Sequence, residues 1–331
     1  MRRIVIVGRK TAVQAHAERY ACFDDATITG VVEHDDEVDI DAPSYDSLAT
    51  ALDAHEVDAV DICGPGAAST DALDTALAAG IPVRCDPPFA LDEQRFDRLV
   101  SRASNTSGWL MAHSPHRFSR LYERLRSSVE TGGIGAIGVA RIKRTAPFDG
   151  PGWNVSYTGI DTTHENTLCA ILAHDFDVLD WTFGTVDRVF VRKRSAGRYD
   201  HVHALLSFRN GGRATVETTW DSDVTPSPRV EVEYSGNHGR VDFSERDAST
   251  ALRGEECSLT VDPLEDDCRG RLLRTFIDRL RGLNVHHRMW HPRTPRRSPS
   301  LLAVPSIRAF QFPLRREKRD RSHRYLLNCP R

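Results

Sequence analysis

The stretch Arg2-Arg3-Ile4-Val5-Ile6-Val7-Gly8-Arg9-Lys10-Thr11-Ala12-Val13 decides the reading of the fold. Ile4–Val7 is a short, unbroken apolar run, the signature of a strand buried on both faces. Gly8 ends it, and a helical pattern follows over Ala12–Tyr20. Two basic residues before an apolar run also resemble a signal peptide. The run is too short for one and is followed by a glycine turn rather than a small-residue cleavage site. It reads as a first strand, and a cytoplasmic protein is expected. A strand, a glycine turn and a helix together can bind phosphate. The backbone passes close to the anion and the helix N-terminus aims its amides at it. Of the three glycines in G-x-G-x-x-G only Gly8 is present; Lys10 and Val13 stand in place of the others. Arg9 and Lys10 either add positive charge for a phosphate or are solvated loop residues. The turn alone does not establish a dinucleotide site.

Working outward, strand-like runs recur at Thr27–Glu33, Ala59–Cys63, Val83–Cys85 and Trp109–His113. Helical patterns fill the gaps at Ser47–Ala54, Thr70–Ala79 and Asp92–Ser104. This alternation predicts an α/β fold with a doubly wound parallel sheet over residues 1–116, which binds ligands at the carboxyl ends of its strands. After Arg117 the pattern changes. Helices at Phe118–Glu130 and from about Glu165 to Trp181 accompany strands at Gly138–Lys143, Val186–Lys193, His203–Phe208, Ala214–Thr219, Val230–Tyr234 and Arg240–Phe243. Asn210-Gly211-Gly212 marks a hairpin turn. Residues 117–283 are therefore expected to form a second, α+β domain with a largely antiparallel open sheet, ending in an amphipathic helix, Arg269–Arg281.

Residues 284–331 follow neither pattern. They hold twelve Arg/Lys and two acids, a net of +10, which leaves 32 basic and 45 acidic residues in 1–283, a net of −13. Three readings stay open for this segment: a disordered basic tail, a shifted reading frame near codon 283, or, less favoured, a nucleic-acid-binding arm. Lysine occurs only at 10, 143, 193 and 318. An acidic, lysine-poor body fits adaptation to high salt, where salt screens the repulsion among surface carboxylates; a GC-rich genome would also favour arginine. No apolar stretch approaches the roughly 20 residues of a membrane span. The seven cysteines are scattered without a CxxC pair, so neither a disulfide framework nor a structural zinc is expected. No histidine set with metal-ligand spacing stands out, and a metal is not expected.

Glu33 ends the second strand, where an acid accepts hydrogen bonds from ribose hydroxyls and repels a 2′-phosphate. This favours NAD over NADP, although Arg9 leaves room for NADP and Glu33 adjoins other acids, Asp35 and Asp36. Further along, several passages resemble the Gfo/Idh/MocA family, the glucose–fructose oxidoreductase and inositol dehydrogenase group. They are Val57-Asp58-Ala59-Val60-Asp61-Ile62-Cys63-Gly64-Pro65, then Ala76 through Asp86-Pro87-Pro88-Phe89-Ala90-Leu91, Arg117-Phe118 with Gly132–Gly135, and His174-Asp175-Phe176-Asp177 with Trp181 and Gly184. The resemblance covers roughly residues 3–282. It implies an NAD(P)-dependent oxidoreductase acting on a sugar, polyol or related hydroxy compound, and a homo-oligomer. It also implies a cofactor site that includes Gly8, Arg9, Lys10, Glu33, Gly64, Pro65, Asp86 and Pro87.

The departures from the family pattern are as informative. The family's lysine in Glu-Lys-Pro is Pro87 here, which cannot move a proton, and the acid four residues before the motif histidine is Ala170. The family's Pro-Asn turn is Pro65-Gly66, with Ser69 where a histidine often stands. His174 and Asp177 remain. They lie at i and i+3 on one helical face, so the carboxylate could hold one tautomer of an imidazole acting as acid and base. Both could equally be structural helix residues. His113, His116, His164 and Glu165 are the alternatives for the acid–base role. The second functional reading is a catalytically silent relative that binds a dinucleotide or a sugar as a sensor or protein partner.

Overall fold

The computed structural model describes residues 1–33, 40–63, 67–87, 89, 93–146, 164–196, 199–221, 229–246, 249–254, 258–261, 267–283 and 323–328. They divide into two compact units. The first comprises Met1–Ser114, a stretch ending at His174 and a stretch beginning at Arg269.

Six strands make the sheet of the first unit: β1 (Arg2–Gly8), β2 (Ala26–Glu33), β3 (Ser44–Tyr45), β4 (Ala59–Cys63), β5 (Val83–Cys85) and β6 (Leu110–Met111). Their order is β3-β2-β1-β4-β5-β6, and all five pairings are parallel. Ile4, Val5, Ile6 and Val7 are fully buried at its centre, as an unbroken apolar run requires. From β1 the order runs outward both ways, to β2 and to β4. The crevice at their carboxyl ends is the switch point at which doubly wound sheets bind ligands. The connecting helices are α1 (Lys10–Tyr20), α2 (Leu48–Ala54), α3 (Ala67–Ala78) and α4 (Glu93–Asn105). Ser47 caps α2 by accepting the Thr50 amide, one of the donors a helix start leaves open.

The last amphipathic helix, α7 (Cys268–Leu280), belongs to this first unit and not to the second, where the chain order had placed it. Its stripe of Leu272, Leu273, Phe276 and Ile277 is buried, with Phe276 edge-on to Trp109 at 5.4 Å. Arg279 lies over the Trp109 ring, and Arg274 binds both carboxylate oxygens of Asp25 at 2.7 and 2.8 Å. An amphipathic stripe shows that a helix is covered; it does not say which sheet covers it.

The second unit runs from Pro115, continues from Asp175 and holds a nine-stranded sheet. Helix α5 (Arg120–Glu130) precedes β7 (Ile137–Ala146), and α6 (His164–Phe183) precedes the remaining strands. These are β8 (Val186–Ala196), β9 (Tyr199–Phe208), β10 (Arg213–Asp221), β11 (Arg229–Gly236), β12 (Gly239–Arg246), β13 (Ser249–Gly254), β14 (Ser258–Val261) and β15 (His323–Asn328). The order is β14-β13-β12-β11-β7-β10-β9-β8-β15, antiparallel except where β7 runs parallel to β10. Burial alternates along β9, β10 and β11, so one face of the sheet is packed. On it Tyr122 meets Phe243 at 5.3 Å and Phe183 meets Tyr234 at 4.8 Å. Strand β15 comes from the basic segment that showed no periodicity; it adds an edge to β8 from His323↔Lys193 to Asn328↔Arg188. The rest of 284–331 lies outside the described residues.

Candidate active site

The turn between β1 and α1 is built by close approach. A side chain at Gly8 would come 2.7 Å from the Cys63 carbonyl and 3.0 Å from the Cys63 Cβ, so only glycine lets the ends of β1 and β4 meet. In the pairing register Gly8 lies beside Cys63 on one side and Glu33 on the other, which brings three strand ends together. Arg9 has extended backbone, and the amides of Ala12 and Val13 both donate to its carbonyl. The amides before them sit at the open, positive end of α1, and no acid occupies the first turn to neutralise it. Val13 is fully buried against Gly8, while Lys10 is exposed. The turn thus keeps its amide-lined, cationic entrance without its second and third glycines, and these residues fit a pyrophosphate. Gly64 and Pro65 fall outside the described residues, as does the Glu33 side chain.

Beneath the carboxyl ends of β4 and β5 lies a network that no sequence motif announced. Asp61 and Arg84 are register partners on adjacent strands, and both are fully buried. Arg84 donates to Asp61 Oδ1 at 3.1 Å and also to Asp86 Oδ1. Arg269 of α7 donates to the other Asp86 oxygen at 3.4 Å and to His16 Nε2 at 2.6 Å. His16 of α1 faces Asp61 Oδ2 at 2.7 Å through Nδ1, and the Tyr20 hydroxyl donates to the same oxygen at 3.1 Å. Five side chains close a ring of two carboxylates, two guanidiniums and one imidazole. Guanidinium only donates, so His16 Nε2 must accept and Nδ1 must carry the proton. Burial, the largest influence, lowers the His16 pKa, with Asp61 opposing, which agrees with a neutral imidazole. Burial alone would raise the Asp86 carboxyl, but Arg84 and Arg269 outweigh it and hold it below the ordinary range. Donor atoms of His16, Asp61 and Cys63 lie within 4.8 Å of one another. The ring engages both imidazole nitrogens and both Asp61 oxygens. The available signal was an acid inside one buried strand and a base inside the next.

Pro87, next to Asp86, is buried, and Thr70 ties α3 to the following loop by donating to the Phe89 carbonyl at 3.1 Å. His174 is 2% exposed and lies within electrostatic reach of Asp86. His113, at the end of β6, is buried in the same unit. The side chains of His164, Glu165 and Ala170 are outside the described set.

In the second unit, both Asp177 oxygens are held by Arg117, at 2.6 Å to Nε and 2.6 Å to Nη2. This bidentate pair gives Asp177 a guanidinium partner, which helical spacing alone does not choose. Arg144 on β7 forms a buried ion pair with Asp175, reaching its oxygens at 2.5 to 3.0 Å, and donates to the Tyr122 hydroxyl at 3.0 Å. His116 stacks on Tyr122 and faces Arg144 at 3.3 Å. His116 is thus part of this frame.

Residues 2–113 match an oxidoreductase family with an NAD-binding Rossmann fold, and residues 122–241 match the GFO/IDH/MocA C-terminal domain. D-glucoside 3-dehydrogenase of Escherichia coli is 23% identical over 312 residues, covering 86% of this chain and 89% of that protein. Myo-inositol 2-dehydrogenase of Thermotoga maritima is 24% identical over 297 residues, covering 84% of each. Among solved structures, GenD2 from gentamicin A biosynthesis in complex with NAD superposes with a TM-score of 0.71 at 17% identity, over 93% of this chain and 92% of that one. Biliverdin reductase from Synechocystis, with biliverdin and NADP+, gives 0.69 at 19% identity, over 86% and 92%. At these identities the structural likeness is one of fold. Among the described residues, no helix is long and apolar enough to cross a membrane.

Proposed function

The chain belongs to the Gfo/Idh/MocA family of oxidoreductases, and on that premise we propose that it is an NAD(P)-dependent dehydrogenase acting on a CH–OH group of a sugar or polyol. The observation that carries this is the meeting of Gly8, Cys63 and Glu33 at the switch point, with the amides of α1 left open above them. The Gly8 turn and the start of α1 would hold the pyrophosphate. Glu33 at the end of β2 would hold the ribose hydroxyls and so favour NAD over NADP. Asp86-Pro87 would line the nicotinamide half. When bound, the dinucleotide supplies the hydride acceptor or donor.

Buried His174, within electrostatic reach of Asp86, takes the substrate's hydroxyl proton on an imidazole nitrogen and returns it in the reverse direction. Asp177 enters as the anchor of Arg117, and the acid–base role rests on His174. Relatives that act on D-glucoside and myo-inositol support the substrate class.

One observation favours the second reading, a dinucleotide-binding relative without turnover. The Asp86-Pro87 segment offers no group free to move a proton, because proline has none and Arg84 and Arg269 hold both Asp86 oxygens. Calorimetric titration with NAD and NADP, paired with a screen of glucosides and inositols, separates the two. We expect NAD to bind more tightly and at least one polyol to be oxidised. Tight binding with no turnover would leave the silent relative, and no dinucleotide binding would end both.

A further inference from the structure

We propose that Arg269 is a positioning residue of the dinucleotide site: from the far end of the chain it holds Asp86, and with it the segment that lines the cofactor. The inference rests on the proposed function and extends it to α7. The sheet alone supplies only half of the ring. Asp61 and Arg84 are neighbours across β4 and β5, and Arg84 reaches one oxygen of Asp86. One guanidinium, contributed 183 residues after Asp86, reaches both the second oxygen and the His16 Nε2. Arg269 is itself only 3% exposed, and α7 is fastened independently by Phe276 against Trp109 and by Arg274 on Asp25. These contacts keep the guanidinium in place.

Two consequences follow from the closed ring. It sums to zero charge, so the ion pairs are compensated while all members stay, and loss of one member leaves a charge buried alone. It also joins α1, whose N-terminus forms the cradle, to the Asp86-Pro87 segment through His16, Arg269 and Asp86. The two halves of the proposed cofactor site are then held by one residue that lies outside both. Arg84, by contrast, is locked between two strands, so replacing it would disturb the sheet first.

The test compares Arg269→Gln and Arg269→Lys with the wild type, measuring NAD affinity by titration calorimetry and folding by thermal denaturation. Arg269→Gln should weaken NAD binding roughly tenfold or more, as displaced supporting groups do. Arg269→Lys keeps the charge but has no planar fork to serve both His16 and Asp86, and should fall between. A folded Arg269→Gln protein with unchanged NAD affinity overturns the inference and leaves the proposed function standing. If Arg269→Gln does not fold, Arg269→Lys decides: weakened binding supports positioning, and wild-type affinity overturns it. A wild-type chain that binds no dinucleotide removes both readings.

Discussion

Pro87 is buried next to a carboxylate whose two oxygens are already engaged, so this segment can shape the site but cannot transfer a proton. His174 is a titratable group within electrostatic reach of this segment and outside the ring. His174→Ala should therefore lower kcat by about 10²–10⁴-fold with little change in NAD affinity, since removing a positioned acid–base group costs that much. Unchanged turnover on a confirmed substrate would take the role away from His174. Pro87→Lys is the complementary experiment: a steep rise in kcat would identify the missing amine as the limiting defect, and a flat response would locate the acid–base chemistry elsewhere. Gly8 and Glu33 could be singled out as candidates because each ends an apolar strand run, and Asp86 through the motif it resembles. His16 and Arg269 could not, since a lone histidine or arginine on a helix says nothing about its partner until the helices are docked.

At the scale of elements, α6 shows how packing reassigns charge. Its C-terminal turns carry Asp177 to Arg117 and bury Asp180, whose Oδ1 accepts the Val186 amide at the start of β8. Burial pushes the Asp180 carboxyl up to about 8, with Arg117 opposing. An unfolded aspartate titrates near ~4, so between about pH 4 and 8 the folded chain holds a proton that the unfolded chain has released. The stability this provides is complete below about pH 4 and is lost as pH rises through about 8. Asp180→Asn keeps the acceptor and removes the titration. Its Tm should stay level from pH 5 to 8 where the wild type declines, and it should exceed the wild type at pH 8. Parallel declines in both proteins would show that Asp180 ionises normally. Most element positions were readable from apolar runs. Not readable were the two-residue β3, the outer strands β13 to β15 and the docking of α7, because short or exposed strands have little apolar pattern and are settled by the neighbour they pair with.

Across the whole molecule, charge is distributed unevenly. Residues 1–283 carry 45 acids against 32 bases, and four lysines stand among 44 basic residues in the full chain. Repulsion over such a surface weakens as the Debye length falls from roughly 10 Å at 0.1 M to 3 Å at 1 M salt. The buried ring and the Arg144–Asp175 pair are shielded from solvent and should respond little. Raising KCl from 0.1 to 1 M should therefore increase Tm by several degrees in a calorimetric scan. A fall in Tm would show that exposed ion pairs such as Arg274–Asp25 outweigh the general repulsion, and that the composition reflects codon usage.

The sequence by itself determined the two architectures and the strand-end candidates, because burial on one or two faces of an element leaves a period that can be read along the chain, and its motifs carried the resemblance to the family. Only the tertiary structure decided which sheet α7 covers, that Asp177 belongs to Arg117, and that His16, Asp61, Arg84, Asp86 and Arg269 close a ring. These are pairings between residues up to 253 positions apart. A buried charge selects its partner by distance in space, and local sequence periodicity carries no record of that distance.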